Sequence, residues 1–223
     1  MNHTIVTELS ANIRGLARVA LAGKWPTAVL TMLTATLLVA VPAGIIERMM
    51  EGQSASESFL LNLVTILIGG PVALGTCFFL IRLFRNQEIS VAILFTGFDY
   101  FVKAALLRLV TSILILLWTL LFIVPGIIAA IRYSQAFYIL ADHPDKDIME
   151  CIEDSKYLMQ GNKWKFFCLN ISFIGWAILE SIPAGLGWLL LLPYIGTAQT
   201  TFYEMVTGSL RPRVQEGDYN YES

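Results

Sequence analysis

The chain has 223 residues, of which 56% are hydrophobic and only 14% charged, and its formal net charge is −2. Soluble domains average about 25% charged residues, so the deficit makes lipid the main solvent. No basic patch large enough for nucleic acid exists, and Cys77, Cys151 and Cys168 are scattered without metal or disulfide spacing.

Residues 1–24 read as an amphipathic helix. Ile5, Leu9, Ile13, Leu16 and Ala20 fall at helical spacing, with Glu8, Arg14 and Arg18 off that stripe. The stretch could pass for the charged region of a signal peptide with 27–40 as its apolar core. Proline at the centre of Val41-Pro42-Ala43 makes a poor cleavage site, so a retained span is expected. Two uninterrupted apolar runs follow, giving spans over 26–46 and 58–82. About 20 apolar residues at 1.5 Å rise cross a hydrocarbon core of about 30 Å.

Further spans are expected at 104–124, 126–142, 165–183 and 186–206, with a disordered tail over 207–223. Pro125-Gly126 splits a long charge-free run, which reads as a tight hairpin. The fourth span is short, roughly 25 Å, and contains Arg132; a re-entrant or interfacial segment is the alternative there. Lys and Arg alternate by side. Arg14, Arg18 and Lys24, then Arg82, Arg85, Lys103 and Arg108, then Lys146, Lys156, Lys163 and Lys165, then Arg211 and Arg213 fall on one side. That bias places both termini in the cytoplasm.

One unit recurs three times: an amphipathic segment, a span, a turn and a returning span. The turns read Val41-Pro42-Ala43-Gly44, Val124-Pro125-Gly126 and Ile182-Pro183-Ala184-Gly185. Gly23-Lys24-Trp25 and Gly161-Asn162-Lys163-Trp164 lead into spans. Phe137-Tyr138 and Phe202-Tyr203 lie near the ends of returning spans. The other two amphipathic segments are Ile89 to Phe101, more aromatic and less clean, and Ile148, Cys151, Ile152, Ser155 and Met159. Such helices can lie in the headgroup plane. The expected fold is all-α, with six transmembrane helices as three hairpins around a cytoplasmic collar.

Arg132 is the sharpest polar candidate, about 9 Å beyond the outer turn. An arginine at mid-bilayer depth costs roughly 2.5–3.5 kcal/mol and takes a partner. Glu180 lies at a compatible depth, so the pair reads either as a cavity-lining ion pair or as an interhelical staple. Gly69, Gly70 and Pro71 interrupt the second span, as broken transporter helices do, though such residues also permit close packing. Asn62, Asn170, Ser172, Gln199 and Thr200 suit helix–helix hydrogen bonds or a polar path. Trp25 and Trp164 read as interface anchors. The acids from Asp142 to Asp154 read as a solvated face. Only His3 and His143 exist, outside any ligand pattern, and no phosphate loop or nucleophile elbow appears. No cofactor is expected.

The stretch Leu121-Phe122-Ile123-Val124-Pro125-Gly126-Ile127-Ile128 is followed by Tyr133-Ser134 and Tyr138-Ile139-Leu140-Ala141-Asp142. After it come Leu158-Met159-Gln160-Gly161-Asn162-Lys163-Trp164 and Phe173-Ile174-Gly175-Trp176. With Pro193-Tyr194 and Phe202-Tyr203-Glu204, this chain resembles domain-of-unknown-function family 975 over residues 10–206. The resemblance implies a multi-pass protein of the bacterial cytoplasmic membrane and carries no functional residues with it. A fainter likeness exists to the membrane portion attached to some bacterial glycerophosphodiester phosphodiesterases, whose soluble catalytic domain has no room here. The leading expectation is a non-enzymatic scaffold or bilayer-associated module. Its partners would be membrane lipids and a membrane protein or a second copy. A small transporter or channel near Arg132 is the alternative, and a membrane enzyme a distant third.

Overall fold

The computed structural model describes residues 3–49, 55–173 and 186–210, and within them every regular element is helical. In chain order these are α1 (Ser10–Leu21), α2 (Trp25–Met49), α3 (Ala55–Phe84), a 3₁₀ helix (Val91–Tyr100), α4 (Phe101–Leu121), α5 (Ile123–Tyr133), α6 (Ala136–Asp142), α7 (Ile148–Leu158), α8 (Lys163–Ile171) and α9 (Leu186–Val206). Among the described residues, four stretches are long and apolar enough to cross a membrane: Trp25–Arg48, Thr65–Phe84, Val91–Leu121 and Ile123–Asp142. Helix α9 occupies the expected sixth span but is not among the four, because Thr197, Gln199, Thr200, Thr201 and Glu204 dilute its C-terminal half. Much of the expected fifth span, the turn Ile182–Gly185, Glu180 and the tail beyond Leu210 lie outside the described residues.

Glycines set two junctions. Gly23 has φ +74° and Gly161 φ +75°, a left-handed conformation that costs glycine little. Each follows a short helix, α1 or α7, and lets the next begin at Trp25 or Lys163. At the end of α3 the same job falls to Asn86, φ +55°. Lys24 Nζ donates to Asn86 Oδ1 at 2.7 Å and to Leu83 O at 3.2 Å, a carbonyl that also accepts from Asn86 N, so a cation sits at the C-terminal end of that helix.

Several local expectations change. Pro42 and Pro71 sit inside continuous helices, so neither Val41–Gly44 nor Gly69-Gly70-Pro71 breaks the chain. In apolar surroundings an opened ladder would orphan several backbone groups, which outweighs one missing N–H. The glycines serve close packing instead: a Cβ on Gly70 would lie 2.6 Å from Ala104 O, and one on Gly75 would overlap the Leu94 carbonyl. The hairpin after α4 turns not at Pro125-Gly126 but at Phe122, which is extended with φ −160° and ψ 151°. Pro125 then falls in the first turn of α5, where its missing N–H is harmless, and Gly126 packs against Thr119.

The segment 126–142 is two helices, α5 and α6, separated at Ser134-Gln135. Ser155 of α7 repairs the seam: its hydroxyl donates to Arg132 O at 2.9 Å and accepts from Gln135 N at 3.2 Å. The N-terminal helix is shorter than 1–24, and its buried stripe is Ile13, Ala17 and Leu21, at i, i+4 and i+8. Ile5 and Leu9 precede it in irregular chain and are exposed. Helix α7 buries Cys151, Ile152 and Ser155 as expected. The middle segment is the 3₁₀ helix.

Candidate functional site

Three helix ends converge on one cluster of charges. Arg85 follows the last residue of α3, Asp142 closes α6, and Glu204 lies in the last turn of α9. Arg85 donates from Nη1 to Asp142 Oδ1 at 2.6 Å and from Nη2 to Asp142 Oδ2 at 3.0 Å, the paired fork that guanidinium and carboxylate geometry favours. Its Nε donates to Glu204 Oε1 at 2.7 Å. Tyr203 Oη donates to Asp142 Oδ2 at 3.2 Å, and the Tyr203 ring stacks on Tyr138 with centroids 5.5 Å apart.

The Glu204 side chain is only 1% exposed, against 22% for Arg85 and 17% for Asp142. Burial works against the charge on Arg85, yet its hydrogen bond to Asp142 and the charges of Glu204 and Asp142 outweigh that and hold its pKa above the ordinary arginine value. The guanidinium stays charged, and Nε, Nη1 and Nη2 each donate to a carboxylate. What the arrangement does is clamp α3, α6 and α9 together.

A second polar node holds the N-terminal segment. Asn162, fully buried, accepts from Val6 N at 2.8 Å and donates to Thr4 O at 3.0 Å and Leu158 O at 2.9 Å. Thr4 N donates to Val206 O at 2.9 Å, so the segment is tied to both α7 and α9. Beside it an open apolar groove of about 740 Å³ runs between residues 4–8, α1, Met205 and Leu210. In the acidic stretch Asp145, Asp147, Glu150 and Glu153 are exposed, as a solvated face requires, and several of its acids also have defined partners. Asp142 belongs to the cluster, Asp147 and Glu150 cap α7, and Asp154 pairs with Lys146.

Arg132 lines a small cavity of about 170 Å³ with Trp118, Pro125, Ile128, Ala129 and Tyr133. Among the described residues it forms no ion pair, and its expected partner Glu180 lies outside them. Arg132 and the Arg85 cluster are separate features. The neutral polar residues of α8 and α9 make helix–helix and local bonds: Gln199 Nε2 donates to Asn170 Oδ1 at 3.0 Å, and Thr200 Oγ1 to Gly196 O at 2.9 Å. Trp164 is 73% exposed and its ring lies against Phe167, whereas Trp25 packs on the cluster around Leu21 and Leu83. Gly70 lies against Ala104 and Ala105 of α4 and the Pro71 carbonyl against Gly97 of the 3₁₀ helix, whereas a Cβ on Gly69 would meet nothing within 4 Å. No group of three His, Cys, Asp or Glu suited to a metal occurs among the described residues.

Sequence reading treated Arg85 only as an orientation marker and missed its partners. One signal was available: Glu204 is the lone ionisable side chain of α9 other than tyrosine, and a carboxylate near the end of an apolar helix calls for a cation. Comparison with known families gives one match, the family described as protein of unknown function (DUF975), over residues 8–131 and 119–209. Neither the curated proteins nor the solved structures give a match.

Proposed function

The chain belongs to the family described as protein of unknown function (DUF975), and from that premise we propose a non-enzymatic, multi-pass scaffold of the bacterial cytoplasmic membrane. In this reading six spans form three hairpins, both termini are cytoplasmic, and the polar end of the molecule is a fixed platform. The carrying observation is the Arg85 clamp. One guanidinium, donating from all three of its nitrogens, joins three helix ends, two of them through a bidentate pair. A carrier that rocks one helical unit against another would have to break that join in each cycle. The Asn162 node adds the N-terminal segment to the same rigid layer.

The test is solute flux in proteoliposomes. A scaffold gives potassium, proton and phosphate leak equal to that of empty vesicles. Leak above that level, abolished by Arg132→Ala, would overturn the scaffold reading in favour of a small transporter. That competing reading draws on one observation, the cavity beside Arg132. Cysteine labelling at positions 143 and 126 tests the topology: modification of 143 from outside would refute the six-span, cytoplasmic-termini arrangement.

A further inference from the structure

Among the described residues, three arginines are partly buried: Arg14, Arg85 and Arg132. Arg85 sits in its clamp. Arg14 donates from Nη1 to Ser172 O at 3.3 Å and lies over the Phe173 ring, 5.9 Å from its centroid. The Arg132 side chain has neither a hydrogen bond nor an ion pair among the described residues, and only its carbonyl is held, by Ser155. A guanidinium is always charged, and one that is partly desolvated without a counter-charge is costly. An acceptor belongs beside it.

The chain builds a place for that acceptor. Pro125, Ile128, Ala129 and Arg132 recur at i, i+3, i+4 and i+7, which is one face of α5. The turn at Phe122 folds this face back towards Trp118 of α4, and with Tyr133 they line the cavity of about 170 Å³. A space of that size holds a few waters or one tetrahedral oxyanion. Three of the lining side chains, the guanidinium, the indole and the phenol, carry N–H or O–H donors. The other three are apolar, and none of the six is a carboxylate or an amide. A second cation stands close by: Lys156 Nζ lies over the Tyr133 ring, 5.9 Å from its centroid, and also forms no ion pair among the described residues. Two unpaired cations around one small cavity raise a positive potential there. A carboxylate would spend both its oxygens on the guanidinium fork. A phosphate has further oxygens for the indole and phenol donors. Beside the cavity α5 exposes Val124, Ile127 and Ile128, so the phosphate of an amphiphile fits as well as a free one.

We propose that the cavity between Trp118 and Arg132 is a phosphate-binding site, filled by the phosphodiester of an anionic phospholipid or by free phosphate. Arg132 takes two of the phosphate oxygens through its fork, Trp118 and Tyr133 donate to the others, and Lys156 balances the remaining charge. The site goes beyond the scaffold reading and stands apart from it: a bound phosphate requires no flux, and flux is decided in proteoliposomes.

The full chain in dodecyl maltoside, washed free of co-purified lipid, tests this through its tryptophan fluorescence and its melting midpoint. One arm titrates sodium phosphate against sodium chloride of equal ionic strength. The other titrates dihexanoyl phosphatidylglycerol against dihexanoyl phosphatidylcholine. The expected result is a saturable response to phosphate, to phosphatidylglycerol or to both, and the arm that saturates names the source. Arg132→Gln should weaken binding about tenfold or more, the worth of a charge-assisted hydrogen bond. Lys156→Gln, on a different helix, should weaken it about threefold. Without ligand, Arg132→Gln should melt no lower than the unaltered chain, because no protein partner is lost. Saturation in neither arm overturns the inference. So does equal affinity in the unaltered chain and Arg132→Gln, which puts the binding elsewhere. A lower midpoint for Arg132→Gln in chloride alone also overturns it, since the guanidinium would then already be paired within the protein, for instance with Glu180.

Discussion

The clamped end of the molecule and the tip of the α4–α5 hairpin handle their surroundings in opposite ways. At the clamp, Arg85, Asp142, Glu204 and Tyr203 are polar groups withdrawn from water that satisfy one another. At the tip, Leu116, Leu117, Trp118, Leu120, Leu121, Phe122, Ile123 and Val124 are large apolar groups between 43% and 75% exposed. Soluble proteins rarely expose an apolar surface so continuous. The clamp gains its order from specific partners, whereas the tip needs a solvent that is itself apolar. Stability should accordingly reside in a few directed contacts at one end and in no particular side chain at the other.

Substitutions can break this contrast. Arg85→Ala should have the largest effect, about 3 kcal/mol, because it leaves two carboxylates without their cation. Loss of helical circular dichroism along a denaturing-detergent titration reads it, and Arg85→Lys should fall between, since an ammonium keeps the charge but lacks the fork. A normal midpoint for Arg85→Ala would mean the clamp holds nothing. Gly97→Ala comes next at about 2 kcal/mol, since the new Cβ meets the backbone of Pro71 and Gly75, which has no rotamer to yield.

Asn162→Ala should cost about 1.5 kcal/mol through the unpaired Val6 N–H and Thr4 carbonyl. Its sharper readout is faster protease cleavage within residues 3–9, with cleavage elsewhere unchanged. Leu120→Ala at the tip should move the midpoint by no more than about 0.5 kcal/mol, because the side chain is 75% exposed and touches little protein. A large loss there would show that the tip is packed on protein, and the contrast would fail.

Much of the architecture was legible because its signals are local. Apolar run length marks α2, α3 and α4 without knowledge of any partner. The left-handed glycines at 23 and 161 announce themselves by residue type, and so does the buried side of α7 by its period. Where prediction misplaced a feature, the reason was a neighbour. Pro71 looks like a helix breaker until Gly97 packs on its carbonyl and Ala104–Ala105 pack on the neighbouring Gly70. Ile5 and Leu9 fit a helical stripe until Asn162 and Val206 hold residues 4–6 away from the helix.

The sequence by itself determined the class of solvent, the helical content and the family, since these depend on composition, on period and on motifs contiguous in the chain. Only the tertiary structure decided which charges meet. Arg85, Asp142 and Glu204 are separated by 57 and 119 positions from the arginine. Nothing local distinguishes Asp142 from the acids that follow it. A buried charge is tolerable only beside its counter-charge, and that pairing exists only once α3, α6 and α9 end at the same place.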